Sequence, residues 1–297
     1  MKGINNQQSQ VSTTISIRRG VWGEAALYGL IGHPLGHSFS RTFFNNRFAR
    51  EGIDAEYLNF DLPSIDLLPQ VLAEHPSLRG LNVTIPYKQA VIPFLDELSD
   101  EARAIGAVNV IRISHKDGVG EGFHLKGFNS DIIGFMDSIR PLLQPHHRKA
   151  LVLGTGGASK AICRGLEKLG IEWRYVSRQR PSAAVPPSSV SPSSGSVLGG
   201  LSAENVFTYS DLTPSVLAEY TVIVNCTPLG MFPNVDAAPP LAYAALSPRH
   251  LLYDLVYNPE ETLFMRQGRR FGATVKGGLE MLHLQALASW EFWNGKD

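Results

Sequence analysis

Short apolar runs alternate with stretches of helical periodicity along most of the chain, and the clearest case lies near its middle. Residues 150–153 form an apolar run closed by glycine, and from Ala158 onward Ala161, Ile162, Leu166 and Leu169 recur at helical spacing. This predicts a strand feeding directly into a helix. The same alternation predicts strands over residues 25–32, 55–60, 80–86, 107–113, 172–176, 220–225, 251–257 and 273–275. Helices are expected over residues 65–73, around Val91, Ile92 and Leu95, over 102–105, from Asp131 through Ile139, over 261–267, and over 279–293. A further helix begins near Ser38 and Ser40, with Phe39, Phe43, Phe44 and Phe48 largely on one face. Strands and helices in this order predict an α/β fold.

Two stretches carry no such pattern. Residues 1–24 are polar and aperiodic and read as a flexible extension. Residues 181–200 are rich in Pro, Ser and Gly and read as a surface loop replacing part of a crossover. A hairpin-like turn is expected at Asp117 and Gly118.

The turn between the central strand and its helix is Gly154, Thr155, Gly156, Gly157. A turn so poor in side chains lets a ligand approach the backbone N–H groups, and the helix dipole behind it favours phosphate. The dinucleotide fingerprint G-x-G-x-x-G/A is met only loosely, with Ala158 or Ser159 at its third position. The strand over 172–176 ends in Ser177, Arg178, Gln179, Arg180, with no acidic residue to take the ribose hydroxyls of NAD. Arginines at that point call for a 2′-phosphate, so NADP is the expected cofactor.

Other polar residues stand at element ends. Ser38 and Ser40 suit either capping of a helix or the binding of a small carboxylate. Asn82 and Thr84 share one face of a strand with Lys88 just past its C-terminal end, where open α/β sheets bind ligands. A lone lysine after a strand is otherwise a solvated charge. Asn109, embedded among apolar residues, needs partners if buried. Asp131 suits the start of a helix through its charge alone. Gln285 among leucines reads as a core-edge polar residue. His33 and His37 lack a third ligand, and no metal site is expected.

The 297 residues suffice for two domains, and 43% hydrophobic residues can supply a core for each. Lys and Arg total 27, as do Asp and Glu, so no global field favours nucleic acid or an anionic membrane. Two cysteines, Cys163 and Cys226, make no disulfide framework and are expected as buried thiols in a reducing compartment. Neither a membrane-length apolar run nor a secretory-type N-terminus is evident, which points to the cytoplasm.

Taken together, the motifs G-H-P-L-G-H-S-F-S, N-V-T-I-P-Y-K, G-A-V-N, N-S-D, G-T-G-G-A-S, N-C-T-P-L-G-M, D-L-V-Y-N-P and G-L-E-M-L-H-L-Q run in one order through nearly the whole folded chain. In them the chain resembles the shikimate dehydrogenase family in its single-function bacterial form. The resemblance implies an N-terminal α/β substrate domain (25–129, completed by 278–297) and a Rossmann-type NADP-binding domain (130–277). It also implies a last helix that returns to the first domain. The implied reaction is NADP-linked, reversible reduction of 3-dehydroshikimate to shikimate, a step towards chorismate and the aromatic amino acids. By the same likeness Lys88 and Asp131 form the catalytic pair. Ser38 and Ser40 bind the substrate carboxylate, and Thr84, Asn109, Tyr257 and Gln285 join Asp131 around the ring. Gly154, Thr155, Gly156, Gly157, Ala158, Ser177, Arg178, Thr227, Leu255 and Gly278 contact the cofactor. The implied partner is this small molecule alone, with the protein a monomer or homodimer.

Some positions depart from the family's commonest pattern. Phe39 stands where a basic residue is usual, Arg41 where proline is frequent, Ile132 where glycine follows the aspartate, and Glu280 where a small residue is commoner. These changes bear on specificity, and Ile132 on how closely its loop approaches substrate. Alternatives to the implied activity are a quinate/shikimate dehydrogenase with relaxed substrate or NAD use, a reductase of another cyclic polyol acid, and a non-catalytic metabolite binder.

Overall fold

The computed structural model describes residues 25–36, 38–115, 122–179 and 205–297. The expected N-terminal extension, the turn at Asp117 and Gly118, the loop over 181–200, His37 and Arg180 lie outside them.

Two six-stranded sheets organise the chain. The first contains β1 (Ala26–Gly32), β2 (Ala55–Asp61), β3 (Leu78–Val83), β4 (Glu97–Leu98), β5 (Val110–His115) and β6 (Phe123–Phe128), in the order β2-β1-β3-β5-β6-β4. Strand β1 runs parallel to β2 and β3, while β5 is antiparallel to both β3 and β6. Helices α1 (Phe39–Glu51), α2 (Leu68–Glu74), α3 (Tyr87–Ala90) and α4 (Asp100–Ile105) connect these strands. Helix α5 (Asp131–Ile139) then leads out of the sheet.

The second sheet is wholly parallel. It contains β7 (Lys149–Leu153), β8 (Glu172–Ser177), β9 (Val206–Thr208), β10 (Val222–Asn225), β11 (Leu251–Asp254) and β12 (Thr274–Lys276), in the order β12-β11-β10-β7-β8-β9. The chain starts at the centre, builds outward to β9, then returns to the other side of β7 through β10. That reversal is the doubly wound Rossmann arrangement, and it opens a crevice at the C-terminal ends of β7 and β10. Helices α6 (Gly157–Lys168), α7 (Pro214–Glu219) and α8 (Leu263–Arg270) belong to this half. Each sheet has apolar clusters on both faces, as strands covered on two sides require.

Helix α9 (Leu279–Trp293) follows the second sheet yet packs on the first. Trp290 and Trp293 enter a cluster with Tyr28, Phe44, Phe48 and Tyr57, and the Trp293 indole donates to the Ile111 carbonyl at 3.1 Å. Tyr28, Phe44 and Tyr57 all lie within ring-stacking range of Trp293. The sequence range expected for this helix is the range observed.

Several sequence-based boundaries differ from the structure. Strand β3 ends at Val83, because the Thr84 carbonyl accepts the Tyr87 N–H in the turn that starts α3. Ile85, an apolar residue inside the expected strand, therefore lies beyond it and is 75% exposed. The strand expected over 107–113 begins only at Val110, so Asn109 precedes it. The strand expected over 251–257 stops at Asp254, whose carboxylate takes the Val256 N–H at 3.0 Å and turns the chain. Helix α8 starts two residues later than expected because Thr262 is its N-cap, accepting the Met265 N–H. Residues 65–67 form a 3₁₀ turn ahead of α2. Strands β4, β6 and β9 and helix α7 were not anticipated, being mostly too short for periodicity to register. Cys163 is fully buried and Cys226 half-buried. Burial pushes the Cys163 thiol up to about 12, so it is an inert core group. No helix of the described residues is long and apolar enough to cross a membrane.

Candidate active site

A cleft of about 540 Å³ opens between the C-terminal ends of β1 and β3, the first turns of α1, and helix α9. Every residue that the resemblance assigns to substrate, together with Lys88, lies on its wall or directly behind it. Ser38 caps α1, its hydroxyl accepting the Arg41 N–H at 3.2 Å, and Ser40 follows in the first turn. Both line the cleft beside the positive end of α1, so capping and anion binding are compatible here. Thr84 comes from the turn after β3, Lys88 from α3, Asn109 from the approach to β5, Gln285 from α9, and Tyr257 from beyond β11.

Lys88 is not a solvated surface charge. Its Nζ lies 2.6 Å from Asp131 Oδ2, with 19% of the lysine side chain and 5% of the aspartate exposed. Asp131 is the first residue of α5, and its other oxygen accepts Asn109 Nδ2 at 2.9 Å. Asn109 Oδ1 in turn accepts the Ser130 N–H at 2.7 Å. The carboxylate is thus held at both oxygens and cannot rotate away from the ammonium. Apart from the imidazole of His33, Lys88 is the one basic side chain on the described wall of the cleft.

The network continues along the wall, through Asn82 and Ser289, and behind it. Ser130 Oγ and Ser289 Oγ are 3.2 Å apart, Asn82 Nδ2 donates to Ser289 Oγ at 3.0 Å, and Tyr57 donates to Asn82 Oδ1 at 2.9 Å. Burial holds the Tyr57 phenol protonated, well above its ordinary range, so it remains a donor. Ser130, Ser289 and Tyr57 were not singled out from the sequence. Ser289 had one signal, standing one helical turn after Gln285 in an apolar helix.

The second constellation occupies the crevice of the parallel sheet. Gly154 has φ +96°, a conformation open chiefly to glycine, and a Cβ there would lie 3.0 Å from Thr227 Cγ2. Side chains at Gly156 and Gly157 would project into open space at the N-terminus of α6. This is an uncovered cradle of the form a pyrophosphate fills, flanked by Thr155 and Ala158. Thr227 is fixed by donating both its hydroxyl and its N–H to Asn225 Oδ1, at 2.6 and 3.1 Å. Leu255 donates its N–H to the Asn225 carbonyl at 3.0 Å. Gly278 abuts the Leu255 carbonyl so closely that any Cβ would overlap it. Ser177 ends β8, and the exposed Arg178 follows, with no acidic residue next to it in the sequence. The cradle, the arginine and the adjoining loops fit a phosphorylated dinucleotide.

Departures from the family pattern now have locations. Ile132 is buried in a cluster with Ile105, Ala107 and Ala161 and does not line the cleft. Phe39 does line the cleft, stacked on Phe43 and edge-on to His283. Arg41 is exposed, and Glu280 pairs with Lys276 on the surface. Among the described residues no group of His, Cys, Asp or Glu is arranged to hold a metal.

Asp254, at the end of β11, is fully buried, and burial raises its pKa to about 6. A folded-state value above the unfolded one means that the folded protein binds this proton more tightly. Stability from this group is therefore full below about pH 4 and lost as pH rises to about 6. Against Asp254→Asn, which does not titrate, the wild type should lose roughly 3 kcal/mol across that window and nothing further above it. Urea unfolding midpoints of both proteins at pH 4.5, 5.5 and 7 check this.

The chain is similar to known proteins over most of its length. The family model of the shikimate dehydrogenase substrate binding domain matches residues 30–111. The NADP(+) shikimate dehydrogenase of Methanosphaera stadtmanae is 34% identical over 93% of this chain and 94% of its own. A Thermus thermophilus shikimate 5-dehydrogenase solved with NADP(H) and shikimate superposes with a TM-score of 0.73, at 29% identity, covering 91% of this chain and 94% of that one. A Listeria monocytogenes shikimate 5-dehydrogenase solved with shikimate and NAD gives 0.75 at 28% identity, covering 92% and 93%.

Proposed function

Since the chain belongs to the shikimate dehydrogenase family, we propose that it catalyses the reversible NADP-dependent reduction of 3-dehydroshikimate to shikimate, towards chorismate and the aromatic amino acids. The observation that carries this reading is the Lys88–Asp131 pair, 2.6 Å apart on the wall of a cleft with two serine hydroxyls at one end. Residues 25–129 with 278–297 hold the substrate, and residues 130–277 hold the cofactor. The protein works in the cytoplasm as a monomer or homodimer.

NADPH, when bound, supplies the hydride that converts the ring carbonyl to an alcohol. Negative charge then grows on the carbonyl oxygen, and the Lys88 ammonium meets it with a charged hydrogen bond and a transferable proton. Asp131 keeps Nζ aimed, and Asn109 keeps Asp131 from rotating. Ser38 and Ser40 fix the substrate carboxylate, so the ring is presented in one orientation. Thr84, Tyr257 and Gln285 complete the ring's surroundings. On the cofactor side, Gly154 to Ala158 receive the pyrophosphate, Ser177 and Arg178 the 2′-phosphate, and Thr227, Leu255 and Gly278 the nicotinamide end.

The purified protein should form NADPH from NADP and shikimate, followed by absorbance. Quinate and NAD belong in the same assay, because Phe39 removes a usual cation and the Listeria relative was solved with NAD. Strong preference for quinate with NAD would overturn the reading. Arg178→Ala should raise the KM for NADP about tenfold while leaving that for NAD within about twofold, as expected for loss of one charged phosphate contact. Equal effects on both cofactors would remove Arg178 from 2′-phosphate recognition.

A further inference from the structure

A fully buried carboxylate is costly unless its lone pairs are matched, and Asp254 has no ion-pair partner among the described residues. It accepts three hydrogen bonds instead, each from a different segment around the crevice. Asn225 Nδ2, from the end of β10, donates to Oδ1 at 2.9 Å. The Val256 N–H donates to the same oxygen at 3.0 Å, and the Thr262 hydroxyl to Oδ2 at 2.6 Å.

Each partner leads to the crevice. Asn225 uses its own Oδ1 to hold the N–H and hydroxyl of Thr227, whose methyl approaches the Gly154 turn. The bond to Val256 bends the chain out of β11 directly after Leu255, whose carbonyl packs against Gly278. Thr262 caps α8 and so ends the loop that brings Tyr257 to the cleft. The three donors come from the end of β10, the turn after β11 and the cap of α8, so one carboxylate ties together three segments bordering the crevice.

We propose that Asp254 is a positioning residue for the cofactor: holding Asn225, Val256 and Thr262 together, it fixes the strip of Thr227, Leu255 and Gly278 that receives the nicotinamide end. This inference rests on the function proposed above. Asp254 touches neither substrate nor cofactor and acts through its neighbours.

The test compares wild type, Asp254→Ala and Asp254→Asn by titrating NADPH and following nicotinamide fluorescence, and by KM for NADP and for shikimate. Alanine leaves Asn225 and Val256 without an acceptor, and should weaken NADPH binding roughly 10- to 30-fold. The KM for shikimate should stay within about threefold. Asparagine should bring NADPH affinity back to within about threefold of wild type. Its oxygen keeps the two Oδ1 bonds, and its NH2 donates to Thr262, reversing one bond without losing it.

Unchanged NADPH affinity in the alanine variant overturns the inference, as does an asparagine variant as impaired as alanine. Should Asp254→Ala not fold, Asn225→Ala cuts only the link to Thr227. It must weaken NADPH in the same direction, and wild-type affinity there also overturns the inference. Failure of the wild type to turn over shikimate would sink the proposed function. The fluorescence titration would still decide the role of Asp254.

Discussion

Replacing Lys88 with alanine should lower kcat by about three orders of magnitude, the combined effect of losing a general acid and a charge at the developing oxyanion. NADPH binding, read by fluorescence titration, should stay within about twofold, because Lys88 belongs to the first sheet's half and the cradle to the second. The expected loss is large because the ammonium is held at 2.6 Å by a carboxylate that Asn109 locks in place. Removal also leaves Asp131 buried without its counter-charge, so a stability loss of up to about 3–5 kcal/mol accompanies it. Unfolding curves separate the two effects: a variant that is folded at the assay temperature yet inactive has lost chemistry. A rate within tenfold of wild type would take Lys88 out of the mechanism.

Trp293→Ala should cost about 3–5 kcal/mol in unfolding free energy, as expected for truncating a buried indole. The ring packs on Tyr28, Phe44 and Tyr57 and donates to the Ile111 carbonyl, so packing and a hydrogen bond are lost together. Helix α9 carries Gln285 and Ser289 into the cleft, and its loosening should also raise the KM for shikimate. The KM for NADP should move less. A loss under about 1 kcal/mol in urea unfolding would mean that α9 is not anchored on the first sheet through this residue.

Much of this arrangement was legible in the sequence because local signals and ligand chemistry coincide. The strand, glycine turn and helix over residues 150–169 carry their own periodicity and breakers, and the structure places β7 and α6 there. Helix α9 was equally plain, with fifteen residues and aromatic anchors. Boundaries failed where a side chain overrides the backbone pattern. Asp254 ends a strand by taking a backbone N–H, and Thr262 starts a helix by offering its hydroxyl. Ile85 falls inside the expected strand because alternation cannot register that Thr84 has already begun a turn. Periodicity left Lys88 and Asp131, 43 positions apart, as separate polar residues. Only the resemblance joined them as a pair. Ser130, Ser289 and Tyr57 were invisible for a related reason: each is unremarkable in its own element and acquires a role only through contacts across three or more of them.

The return of α9 to the first sheet has a consequence for how the molecule is made. During synthesis on the ribosome, β1 to β6 emerge first, but the aromatic face formed by Tyr28, Phe44, Phe48 and Tyr57 has no cover until Trp290 and Trp293 follow. About 150 residues separate Phe128 from Leu279, which at 5–20 residues per second is a wait of roughly 8 to 30 s. For that interval the nascent chain presents an oily, half-built surface while its second half folds, and the pocket for substrate does not yet exist.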